Sequence, residues 1–123
     1  MDEANIQKIK LKWGELLRQL NDNLGEKPDL QGMLFLIGVQ ELGKGYQNFS
    51  KDEKQDLMHI ATCRLLSYDG YYRLKEYDAE GWPHYEKVKN LPQLSLKEQD
   101  LLLKSNIIKY FEDAGFQLSV PAI

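Results

Sequence analysis

The stretch Leu30 to Gln40 reads LQGMLFLIGVQ, 11 residues without a single charge. Met33, Leu34, Phe35, Leu36, Ile37 and Val39 fall on nearly every side of a helical wheel, and an element that is apolar all round is a buried one. The run is too short to cross a bilayer, which takes roughly 20 apolar residues. The chain must therefore build other elements to cover it. A helix over 29–42 is expected, started by Pro28 or Asp29 and ended by Gly43. A buried strand is the alternative, since short apolar runs are ambiguous. Gly32 and Gly38 lower helix propensity, and they make sense where another backbone packs closely.

Three further helices follow from periodicity and caps. Ile6, Ile9, Trp13, Leu16 and Leu20 are spaced as an a/d seam, so a helix is expected over about 3–24, ended by Gly25 and Pro28. The seam is too short to argue for a coiled coil. It serves packing within the chain or, alternatively, a dimer. Ser50 with Glu53 is spaced as a capping box and opens a helix to about Tyr68, with Leu57, Ile60, Ala61 and Leu65 on one face. Ser95 with Glu98 is a second box. It opens a helix to about Gly115 whose apolar face is Leu96, Leu103, Ile107, Tyr110 and Phe111, widened by Leu102 and Ile108. Residues 116–123 form a tail, with Leu118, Val120 and Pro121, that packs back or frays.

Between the third and fourth helices lies the one segment with no helical stripe. It holds Tyr71, Tyr72, Tyr77, Trp82, His84 and Tyr85. Asp78-Ala79-Glu80-Gly81 has the composition of a hairpin loop, and Pro83 restricts the returning strand to a short or edge position. A two-stranded hairpin or an ordered irregular loop is expected over about 70–89. The fold class is thus mainly α: a four-helix, bundle-like single domain over 1–115, packed around the 29–42 helix and carrying this insert.

Composition narrows the functions. A net charge of −3 argues against general nucleic-acid affinity, which needs a concentrated basic surface. Arg73, Lys75, Lys87 and Lys89 are matched by Glu76, Asp78, Glu80 and Glu86, so the aromatic segment is no obvious platform for single strands. The lone Cys63 cannot form an internal disulfide, which fits a reducing compartment. MDEANIQKIK has acids where a secretory signal needs bases. A cytoplasmic protein is expected, with no membrane and no nucleic-acid partner and no cofactor.

Site motifs are sparse. Gly43-Lys44-Gly45 lacks the spacing of a phosphate loop. The start of the third helix is too acidic for a recognition helix. Glu41 follows the apolar run, either as a buried acid or in an exposed last helical turn. No nucleophile elbow is present, and no Cys-His pair other than His59 with Cys63. Clustered Tyr and Trp are the chemistry of binding surfaces, so Tyr71, Tyr72, Tyr77, Trp82, His84 and Tyr85 are the candidate surface for a partner protein or a second copy of the chain. The competing structural role for these residues is a hairpin clamped onto the helices. Asp56, His59 and Cys63 share a face of the third helix and form the alternative, a metal or small-ligand site. The plainer reading of these makes Cys63 a small core residue and His59 a residue at the core's edge.

The segments Leu34 to Gly43, Asp56 to Ala61 and Asp78 to His84 resemble a group of small uncharacterised bacterial proteins. The resemblance covers most of the chain. It implies a bacterial cytoplasmic protein and carries no activity to transfer.

Overall fold

A computed structural model describes residues 2–118. Val120 and Pro121 lie outside those residues. The described residues form four helices and a two-stranded antiparallel hairpin between the third and fourth: α1 (Glu3–Leu24), α2 (Leu30–Leu42), α3 (Lys51–Ser67), β1 (Tyr72–Tyr77), β2 (Pro83–Lys87) and α4 (Leu96–Asp113). Among the described residues, no helix is long and apolar enough to cross a membrane. Contacts gather into two compact units, one formed by residues 29–92 and the other by the flanking segments.

In the flanking unit α1 packs on α4. Asp2 caps α1 by accepting from the Asn5 amide at 2.8 Å, and Gly25 ends it at φ 81°, in the left-handed region that glycine tolerates. Leu16 and Leu20 of the a/d seam are buried within the chain. On α4 the capping box of Ser95 and Glu98 forms in both directions. The buried face of α4 differs from expectation. Ile107, Ile108 and Tyr110 are buried as expected and Leu101 joins them, whereas Leu103 and Phe111 are half-buried and Leu96 is 84% exposed. Leu96 is the first helical residue after the cap, and its place in the first turn leaves it in water although its phase is right. Lys12 and Glu112 join the two helices at 2.8 Å. The tail turns back here: Phe116 meets Phe111 edge to face, and Leu118 is buried.

In the 29–92 unit α2 lies along α3. Asp29, not Pro28, caps α2 by accepting from the Gly32 amide at 2.7 Å. Met33, Ile37, Gly38 and Leu42 are buried; Leu34, Phe35, Leu36 and Val39 are half-buried. One face of the apolar helix is thus fully enclosed and the others only partly. The close backbone approach expected of the α2 glycines is realised at Gly38. A Cβ there would lie 2.7 Å from the Leu57 carbonyl carbon, and closer still to its oxygen. The capping box of Ser50 and Glu53 opens α3. Leu42, Phe49 and Leu57 form a core cluster against which Phe35, Val39 and Trp82 pack. Glu41 is neither a lone buried acid nor free in water: it is half-buried and pairs with Arg64 at 3.3 Å.

The insert is the hairpin, and it packs on α3. Tyr72 pairs with Lys87, Arg73 with Glu86, Leu74 with Tyr85, Glu76 with His84 and Tyr77 with Pro83. Lys75 is therefore an extra residue in β1, a bulge. Pro83 opens β2, a position where its missing N–H costs nothing to the ladder.

Candidate functional site

Both histidines of the chain line one cleft of about 450 Å³, set between α3 and the turn of the hairpin. Glu53, Asp56, His59 and Ile60 come from α3, where spacings of three and four place them on one face. Asp78, Glu80 and Trp82 come from the turn; Pro83, His84 and Tyr85 come from the start of β2.

Asp78 builds the turn. Its Oδ1 accepts the backbone N–H groups of Glu80 at 2.9 Å and Trp82 at 3.0 Å. Its Oδ2 lies 2.9 Å from His84 Nε2. The bond from His84, then the Trp82 and Glu80 amides, hold the Asp78 carboxyl below its usual range. Gly81 takes φ 85°, which closes the loop. The result aims Trp82 at the Leu42, Phe49 and Leu57 cluster, so the indole is half-buried while still lining the cleft. Burial, followed by the nearby Glu41 charge, pushes Tyr85 up to about 12, so its phenol stays protonated. Lys44 donates to the Glu80 carbonyl at the loop.

The two residue sets singled out from sequence meet in this cleft, and neither enters it whole. Trp82, His84 and Tyr85 line it; Tyr71, Tyr72 and Tyr77 do not. Tyr71 lies under the Lys89 ammonium, 4.8 Å from the ring centroid. Tyr72 is half-buried on β1, while Tyr77 is 61% exposed beside the turn. Asp56 and His59 line the cleft from the other side, but Cys63 sits behind it at 1% exposure. His59 Nε2 is 3.6 Å from Cys63 Sγ. Burial pushes that thiol up to about 11, so at neutral pH it stays protonated and is a poor nucleophile. Among the described residues, no three His, Cys, Asp or Glu side chains are grouped to hold a metal ion.

Cys63 should accordingly react with a thiol reagent such as Ellman's at least about 100-fold more slowly in the folded protein than in urea. A folded rate within about threefold of the unfolded one would show that the thiol is exposed.

Glu53, Asp78 and Glu80 were missed as site residues because each has a plainer local role, in a helix cap or a turn. The equal count of acids and bases in the insert also concealed Asp78 and Glu80. Asp78 and Glu80 face the cleft, while Arg73, Lys75, Lys87 and Lys89 do not line it. Arg73 instead pairs with Glu86 at 2.5 Å. Asp78 and Glu80 sit in the turn, and their place in the cleft follows from the packing of the hairpin on α3, which no residue pattern announces. Comparison with known proteins gives no match to any family model, curated protein or solved structure.

Proposed function

We propose that the protein is a non-enzymatic interaction module of the bacterial cytoplasm, and that α3 and the hairpin present its docking surface to a partner protein. The observation that carries this reading is the cleft wall formed by Trp82, His84 and Tyr85, with Tyr77 exposed beside it. Aromatic side chains with polar tips supply large contact area at low conformational cost, and they dominate the energetics of protein interfaces. A second copy of the chain is the other macromolecular occupant of the same surface.

The test uses a double variant, Tyr77→Ala with His84→Ala. Both side chains are more than half exposed, so the fold should tolerate their loss. Tagged wild type and variant would be used to capture proteins from the cell of origin. The docking reading expects a protein retained in near-equal amount by the wild type and released by the variant. If both retain the same set, the surface is not the docking site. Sedimentation of the purified protein separates self-association from capture of a different chain.

A second reading is a small-ligand site in the same cleft, using Asp56 and His59. Its support is the volume, which falls within the range of about 300–1,000 Å³ usual for small-molecule pockets. A metal-dependent form of it adds Cys63, whose Sγ lies 3.6 Å from His59 Nε2. Stoichiometric metal in the purified protein, lost on His59→Ala, would favour it over docking.

A further inference from the structure

We infer that the cleft receives the side chain of an arginine carried on a segment of the partner protein. This rests on the docking reading above and deepens it by naming what is recognised. The lining contains four carboxylates, Glu53, Asp56, Asp78 and Glu80, and neither a lysine nor an arginine. Two of the four are already used in building the site. Glu53 accepts from the Ser50 amide at 2.8 Å, and Asp78 holds the turn and His84. Asp56 and Glu80 side chains make no hydrogen bond or ion pair among the described residues. They stand on opposite walls, one on α3 and one on the turn, and both are exposed to an incoming charge.

The sign of the cleft excludes anions. A phosphate, a nucleic-acid backbone or an acidic headgroup would meet four like charges at short range. A bare divalent ion finds no group of three ligands among the described residues. A cation that brings its own hydrogen-bond donors fits better. The aromatic lining favours guanidinium over ammonium, since guanidinium is the more weakly hydrated ion, stacks on rings and forks onto carboxylates. Trp82 and Tyr85 supply the rings, while Asp56 and Glu80 supply the acceptors. The volume exceeds one guanidinium, which leaves room for the neighbouring residues of the segment. The chain's own Lys44 already places its ammonium at the rim, on the Glu80 carbonyl.

The experiment titrates isotope-labelled protein with three peptides that differ at one central position between glycines: arginine, lysine, or citrulline, which is nearly isosteric with arginine but uncharged. Backbone amide and indole N–H signals are followed. The arginine peptide should shift the Trp82 indole and the amides of 53–60 and 78–85. It should bind at least about fivefold more tightly than either other peptide, and weaken between about 50 mM and about 500 mM salt. Asp56→Asn with Glu80→Gln removes two charges that hold nothing in the fold, and should weaken the arginine peptide at least about fivefold. Its amide spectrum verifies that it is folded. Citrulline or lysine binding as well as arginine, shifts elsewhere on the protein, or full binding by the double variant would each overturn the inference. The two readings fail separately. If the peptide results go against arginine while Tyr77→Ala with His84→Ala still releases a captured protein, only the arginine assignment falls. If capture is insensitive to that variant, the docking reading falls whatever the peptides do.

Discussion

A single methyl group added at position 38 should destabilise the protein by about 3 kcal/mol. The Cβ of Gly38→Ala would lie 2.7 Å from the Leu57 carbonyl carbon and 2.9 Å from its Cβ, and nearer still to the carbonyl oxygen. These are largely backbone atoms in the middle of α3, so no side-chain rotation relieves the clash; α2 and α3 must move apart. Alanine has the better helix propensity, by roughly 1 kcal/mol, but that gain is smaller than the cost of opening a packed contact. Gly14 gives the contrast. It is exposed on α1, and a Cβ added there would meet nothing within 4 Å, so Gly14→Ala should stabilise by about 0.5–1 kcal/mol. Urea unfolding followed by circular dichroism measures both. If Gly38→Ala is as stable as the wild type, the close approach of α2 and α3 is wrong.

The second large effect is expected at Trp82. Trp82→Ala removes a half-buried indole from the Leu42, Phe49 and Leu57 cluster and should cost about 2–3 kcal/mol. It should also abolish partner capture, because one wall of the cleft is gone. Trp82→Phe keeps a ring in the same place and should restore most of the stability. The pair of variants therefore separates the two roles of one side chain. Trp82→Ala with wild-type stability would mean that the hairpin does not pack on the cluster. Trp82→Ala that is destabilised yet still captures the partner would place docking elsewhere.

Much of this architecture is legible in the residues. Ser50 with Glu53 and Ser95 with Glu98 mark helix starts because each pair satisfies backbone groups that have no other partner. Gly25 and Gly43 mark ends because their φ values, 81° and 73°, are strained for any other residue. These are local signals, and local signals survive in sequence. The cleft is different in kind. It depends on where the turn of the hairpin falls against α3, and that contact joins residues about twenty positions apart. Asp56 and His59 could be placed on one helical face from spacing alone. That His84 would stand in the same cleft could not, because its position follows from the tertiary docking of β2. Leu96 shows the reverse error: an apolar residue in the right phase was assigned to the α4 core, although its place in the first turn leaves it in water.

The extra residue at Lys75 has a consequence for the chain in a crowded cell. A two-stranded sheet has an unpaired edge on each strand, and β1 carries Leu74 and Tyr77 largely exposed. A straight strand of that kind would template the addition of another strand, and then another. The bulge breaks the spacing of backbone donors and acceptors midway along β1, and it does so at a lysine flanked closely by Arg73 and Glu76. A strand approaching that edge can satisfy only part of its ladder before it runs out of step. β1 can thus hold Tyr77 in the open without offering its outer edge as a seed for fibres.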